Sequence, residues 1–152
     1  MKNTTLCYIE KDNKYLMLHR TVKKNDGSFG KYIGIGGPIE ENESPIDCIL
    51  REAKEETGFT LNDVRYRGIV TFISDEYETE IMHLFTSTSF SGTQISSDEG
   101  ELLWVEKSKL YELPMWEGDR IFLDELMKDG TFFHIKLVYE KDRLKEAQKY
   151  AL

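Results

Sequence analysis

A chain of 152 residues fits one domain and leaves no room for two independent cores. Apolar residues make up 39% and charged residues 32%, with aromatics well represented, which excludes a disordered chain. The charge sum of −8 argues against binding duplex nucleic acid or an anionic membrane, but not against a phosphate ligand held through metal ions.

In chain order, Thr4–Ile9 and Lys14–Arg20 read as two strands around the turn Lys11-Asp12-Asn13. Thr21–Lys31 is polar, carries Asp26-Gly27 and Gly30, and reads as a mobile loop. Gly34–Pro38 is so rich in glycine and proline that it permits close backbone approach but no regular helix. The clearest helix runs from Ser44 to about Gly58. Ser44 is the expected N-cap, Pro45 the first helical residue, and Gly58 the stop. Ile46, Ile49, Leu50, Ala53 and Thr57 recur at helical spacing and are expected to form its buried stripe. Val64–Ser74 and Glu80–Phe90 read as long strands joined through Asp75-Glu76-Tyr77, and Glu101–Val105 as a shorter one. Lys107–Leu113 and Asp119–Lys128 read as helices, the second closed by Asp129-Gly130. Phe132–Tyr139 is a last strand, and Asp142–Leu152 has no clear assignment. Strands and helices intermix without regular alternation, so the expected fold class is α/β of the α+β type, a mixed sheet covered by helices.

Cys7 and Cys48 stand alone and suggest a reducing compartment. The N-terminus lacks an apolar leader core, and nowhere do about 18 apolar residues run together. The expectation is a soluble, cytoplasmic, single-domain protein with no membrane partner.

The first helix carries the chemistry. Glu52, Glu55 and Glu56 fall within an arc of about 100°, expected to lie away from the Ile46/Ile49/Leu50/Ala53 stripe. Like charges at this spacing repel by a few tenths of a kcal/mol, roughly, per pair. Charged helix faces are usually just solvated, but this one follows a glycine-rich turn, with Arg51 beside it and Glu43 as a partner for Arg51. Hard divalent cations would remove the repulsion, because Mg²⁺ takes oxygen ligands from carboxylates and substrate phosphates together.

Written out, Gly37-x5-Glu43-x7-Arg51-Glu52-Ala53-x-Glu55-Glu56-x-Gly58-Phe59 resembles the Nudix box at every defined position. The motif covers residues 37–59, about a sixth of the chain. The resemblance implies an α/β/α sandwich and hydrolysis of a nucleoside diphosphate linked to another group. It implies that Glu52, Glu55 and Glu56 hold Mg²⁺, for which Mn²⁺ can substitute, with the Gly36 carbonyl as a further ligand. It also implies that Glu43 and Arg51 brace the loop–helix junction and that one helix carboxylate orients the attacking water. Related enzymes often add an acid from a later loop, and Ser96–Glu101 offers Glu99.

More weakly, the chain resembles the MutT-type subgroup that includes oxidised-purine nucleoside triphosphatases. The matching stretches are Gly30-Lys31-Tyr32-x-Gly34-x-Gly36-Gly37, Asp98-Glu99, Met115-Trp116-x-x-Asp119 and Phe132-Phe133-His134. That resemblance implies a nucleotide site in which Gly37 flanks the substrate, Trp116 stacks on a base, Asp119 reads its edge and Phe72 lines the pocket. Trp116 and Phe72 serve equally well as core residues. Two positions depart from the pattern: Ile33 replaces a hydrogen-bonding Asn, and Gly118 replaces a second pocket acid. Preference for 8-oxo-dGTP therefore rests on less than the chemistry does.

Diadenosine polyphosphate hydrolysis stays open through Tyr77, and pyrophosphate removal from RNA 5′ ends stays open despite the negative charge. ADP-ribose hydrolysis is disfavoured, because no Pro occurs between Pro45 and Pro114. A catalytically silent nucleotide-binding regulator is the reading from another class, and the retained Glu52, Glu55 and Glu56 argue against it.

Overall fold

Strand alternation explains the layering of the fold. In a computed structural model, which describes every residue but Asn25 and Asp129, β1 (Lys2–Lys11) sends Cys7 and Ile9 to one face and Tyr8 to the other. β2 (Lys14–Arg20) likewise splits Leu16 and Leu18 from Tyr15 and Met17. Two apolar clusters result, one on each side of the sheet, and a helix covers each. α1 (Pro45–Thr57) packs Ile49 and Ala53 on the Cys7/Ile9 face, and α2 (Asp119–Met127) packs Phe122, Leu123 and Leu126 on the Tyr8 face. This is the expected α/β/α sandwich.

The remaining elements are β3 (Tyr32–Ile33), β4 (Ile35–Pro38), β5 (Thr60–Leu61), β6 (Arg65–Ser74), β7 (Glu80–Ser87), β8 (Phe90–Ser91) and β9 (Gly100–Glu106). A 3₁₀ turn (Lys107–Glu112), β10 (Phe133–Glu140) and β11 (Arg143–Lys149) complete the chain. Among the described residues the main sheet runs β11-β10-β6-β7-β1-β2-β3, with β4 added to β1 and β9 to β2. It is mixed: β1 runs parallel to β7 and β10 parallel to β6, and the other pairs are antiparallel. β1 forks, pairing with β4 over Thr4–Cys7 and with β2 only at Glu10 and Lys11. The fork opens the space in which the site lies.

Several expectations are corrected. Ile46 and Leu50 are exposed at 44% and 38%, whereas Cys48 is fully buried. The Sγ of Cys48 lies 3.2 Å from Thr5 Oγ1, so α1 is turned with Cys48, Ile49, Ala53 and Glu56 against β1 and β4. The carboxylate arc and the buried arc therefore overlap instead of lying apart. Gly34–Pro38 contains a strand, β4, because glycine lets its backbone press onto β1. Lys107–Leu113 is mainly a 3₁₀ turn, the long strand from Glu80 breaks after Ser87, and the unassigned tail forms β11 on β10. Thr21–Lys31 has no regular element among its described residues, yet Arg20 Nη1 donates to Asp26 and ties it down. Of the expected stop for α2, Asp129 lies outside the described residues.

α2 ends instead on a side chain. A bulge between Tyr66 and Gly68 turns Arg67 inward, where its guanidinium donates to the carbonyls of Glu125, Leu126 and Lys128. The Glu125 carbonyl also accepts from Lys128 N, and the guanidinium gives the end of the helix further donors. Arg67→Met keeps the packing and removes the donors, so it should lower unfolding free energy by about 2–3 kcal/mol in urea titration. An unchanged midpoint would show that water caps the helix equally well.

Candidate active site

The site starts at the entry to α1. Ser44 caps the helix as expected: its Oγ accepts from Asp47 N, and the Asp47 carboxylate accepts from Ser44 N. Gly58 closes it in the left-handed conformation, φ 83°, with its N–H donating to Lys54 O. Fixed at both ends, α1 presents its carboxylates to the β4 backbone. A Cβ on Gly36 would lie 1.9 Å from Thr5 O, and one on Gly37 would lie 2.7 Å from the Glu52 carboxylate. Only glycine at position 36 lets β4 lie this close to β1, and at position 37 a side chain would displace the Glu52 carboxylate from its place.

Arg51 organises the junction. It grips Glu43 through two bonds, Nε to Oε2 at 2.6 Å and Nη2 to Oε1 at 3.0 Å. Nη2 also donates to Pro38 O, and Nη1 donates to Glu52 at 2.8 Å and Glu55 at 3.2 Å. The guanidinium holds Glu43 below the usual carboxylate range. Glu52 is pushed up by burial even with Arg51 beside it.

Glu56 is the exception among these acids. It is only 7% exposed; Oε2 accepts from Gly36 N at 3.1 Å, and Oε1 is buried with no hydrogen-bond partner among the described residues. Burial, reinforced by the neighbouring Glu52 charge, pushes it up to about 8, and the Gly36 bond only partly opposes this. A buried oxygen with nothing to bond is costly. A hard cation would satisfy it.

Glu99 reaches the same cavity from the loop before β9, where its carboxylate pairs with Lys24. Its carbonyl accepts from the N–H groups of Thr21 and Val22, which docks the loop on the end of β2. Among the described residues, no three acidic, His or Cys side chains converge on one point as a formed metal centre would require. Glu52 and Glu55 are turned to Arg51, and Glu99 to Lys24. The donor chemistry nonetheless fits a divalent ion: carboxylate oxygens only, one of them buried and unpaired.

The cavity measures about 620 Å³ and runs from Glu52, Glu55, Glu56 and Glu99 to Phe72, Trp116 and Asp119. All the sequence-predicted site residues except Glu43 line it; Glu43 stands behind Arg51. Trp116 is both wall and core. Its Nε1 donates to Ser28 Oγ, Phe72 and Tyr139 meet its ring edge-on, and the Lys31 ammonium sits 4.5 Å from its centroid. Asp119, in the first turn of α2, is pushed up to about 8 by burial, against the pull of Lys31 and Arg120. At Gly118 a Cβ would meet Leu137 and the Tyr139 hydroxyl within 2.7 Å, so a second acid there would have to displace those side chains.

Sequence reasoning missed Lys2, Thr4, Lys24, Asp26, Ser28 and Glu80, all of which line the cavity. For Glu80 a signal existed: strand alternation puts it on the face of Met82 and Leu84.

The comparisons agree with this fold. The family profile described as the NUDIX domain matches residues 2–126, and the chain belongs to the Nudix family. It is a Nudix hydrolase, an enzyme acting on phosphoric anhydride bonds. It is 32% identical over 144 residues to the "Uncharacterized Nudix hydrolase YvcI" of Bacillus subtilis, covering 91% of this chain and 87% of that one. It is 29% identical over 115 residues to an "Oxidized purine nucleoside triphosphate hydrolase" of Danio rerio, covering 73% and 72%. A MutT protein from Bacillus halodurans has the same fold at a TM-score of 0.87 and 23% identity, over 98% of this chain and 97% of that one. No helix among the described residues is long and apolar enough to cross a membrane.

Asp119 makes a measurable claim about stability. Its folded pKa lies above its unfolded value, so it favours the folded state fully only at low pH. That contribution is lost as pH rises from about 4 to about 8. Asp119→Asn mimics the neutral acid at every pH. Its stability relative to wild type should therefore rise by roughly 3 kcal/mol between about pH 5.5 and about pH 8.5, measured by urea unfolding in chelator. A gap that stays constant with pH would mean that the carboxyl is hydrated and ionised in the folded protein.

Proposed function

We propose that the cavity binds a purine nucleoside triphosphate, with or without an oxidised base, and that the chain hydrolyses it to the monophosphate and pyrophosphate. The observation that carries this reading is the buried, unpartnered Glu56 Oε1 at one end of a cavity whose other end is walled by Phe72, Trp116 and Asp119. The name of the Danio rerio relative supports the substrate class. Glu52, Glu55 and Glu56 would hold Mg²⁺, or Mn²⁺ in its place, with Glu99 and the Gly36 peptide completing the donor set. The ion supplies charge neutralisation on the phosphates and acidifies water.

The chain's own residues do the rest. Arg51, braced by Glu43, sets the direction of Glu52 and Glu55, so the carboxylates are aimed before substrate arrives. One of the helix carboxylates orients the attacking water. Gly37, without a side chain, lets the polyphosphate approach the β4 backbone. Lys24, paired with Glu99, becomes available to a phosphate once Glu99 is engaged elsewhere. The aromatic wall of Phe72 and Trp116 holds the base, and Asp119 hydrogen-bonds its edge. A cytoplasmic location suits two buried, unpaired cysteines.

A second reading has one observation behind it. A cavity of about 340 Å³ lies beyond Trp116 and Tyr77, which border both spaces. It gives room for the second nucleoside of a dinucleoside polyphosphate. Product analysis by mass separates the readings: pyrophosphate from a triphosphate supports the first, a nucleotide pair from Ap4A the second.

Glu56→Gln should lower kcat at least a hundredfold while leaving the circular dichroism spectrum unchanged, by the loss of one charged ligand. Chelator should abolish wild-type turnover, and added Mg²⁺ should restore it. Turnover that persists in excess chelator would contradict the reading, as would a near-native rate in Glu56→Gln.

A further inference from the structure

We propose that Glu80 reads the base, accepting hydrogen bonds from neighbouring ring and exocyclic N–H groups, so that the pocket selects guanine-type purines over adenine. The inference rests on the nucleotide reading above and deepens it.

Glu80 opens β7, with Lys2 of β1 and Phe72 of β6 as its Cα partners on either side. Its side chain points to the α2 face, into the cavity that Phe72, Trp116 and Asp119 wall. Thr4 Oγ1 donates to Glu80 Oε2 at 2.7 Å and fixes the carboxylate. The other oxygen, Oε1, has only a loose ion pair to Lys2 Nζ at 3.8 Å, beyond hydrogen-bond range. It is thus a held acceptor with bonding capacity to spare. The nearby polar groups are committed elsewhere: Ser28 accepts from Trp116, and Asp26 accepts from Arg20. Ile33 offers nothing polar.

The edges of the two purines differ in what they present. Guanine offers an acceptor, O6, and two adjacent donors, the ring N1–H and the exocyclic amine. Adenine offers an acceptor at N1 and one exocyclic amine beside it, so it lacks the pair of adjacent donors. A carboxylate accepts only, so Glu80 can take two bonds from the first edge, whereas at the second it takes one at most and faces the N1 lone pair. Asp119 supplies the remaining partner. Burial keeps it a neutral acid, with the Glu80 charge a further contribution, and a neutral acid can donate to a carbonyl oxygen. Acceptor and donor then match the three groups of the guanine edge. This gives Glu80 a role for which position 118, a glycine, offers no side chain.

The test uses the intact protein with Mg²⁺ and the triphosphates of deoxyguanosine, deoxyinosine and deoxyadenosine. Inosine keeps N1–H and O6 and lacks only the exocyclic amine. Wild type should show kcat/KM for deoxyguanosine about ten- to a hundredfold above deoxyinosine, and at least as far above deoxyadenosine. Glu80→Gln, which retains the Thr4 bond, and Glu80→Met should shrink the guanosine-to-inosine ratio to within about threefold, whatever happens to absolute rates. A ratio unchanged in both variants overturns the proposal while hydrolysis stands, as does a wild type blind to the amine. Calorimetric binding of the three deoxynucleoside monophosphates gives an independent readout. Guanine-selective binding that is lost in Glu80→Gln, with no triphosphate turned over, supports Glu80 and defeats the hydrolysis reading. Absence of both turnover and selective binding defeats both.

Discussion

A carboxyl group taken out of water between a helix and a glycine strand sets the terms for the rest of this molecule. Glu56 has one oxygen bonded to the Gly36 amide and the other to nothing. Such a group is tolerated only if it stays protonated or finds a cation. Its neighbours leave it little choice: Glu52 repels its charge, Arg51 is spent on Glu43, Glu52 and Glu55, and Lys54 donates to the Gly58 carbonyl. The helix is thus left with an unfilled electrostatic demand. A polyphosphate cannot meet that demand directly, being anionic itself. A divalent ion would meet it and would neutralise the phosphates.

The surrounding sequence serves this arrangement. The Ser44/Asp47 capping box and the left-handed Gly58 fix where α1 begins and ends. Gly36 lies at a distance from the Thr5 backbone that no other residue allows, and Gly37 leaves room for the Glu52 carboxylate where it stands. Arg51 bonded to the Pro38 carbonyl ties the helix back to β4. The fork in β1 then joins the acidic end of the cavity to an aromatic end built from the opposite face of the sheet. Charge and apolar surface are kept apart by the sheet, and a bipolar ligand is needed to use both.

The element order and the carboxylate set were legible because they rest on local rules: caps, alternation and helical spacing. What misled was rotation about the α1 axis. Ile46 and Leu50 belong to an apolar stripe in the sequence, but the close approach permitted by Gly36 and Gly37 turns Cys48 and Glu56 inward instead. A tertiary contact overrode the local pattern, and it did so at Glu56. Lys24 and Ser28 were unreadable for a different reason: both lie in a loop, where a lone polar residue carries no signal until the fold places it at the cavity. For Trp116 the choice between core and pocket had no single answer, because the ring is packed on its edges and still walls the cavity.

If Glu56 is protonated in the free protein and ionised on the metal, binding the ion must expel a proton. Calorimetric titration with Mg²⁺ near neutral pH, in two buffers of different ionisation enthalpy, counts that proton. The account predicts release of about one proton per ion from wild type and almost none from Glu56→Gln. Tight binding by wild type without proton release, or the same release from Glu56→Gln, would contradict it.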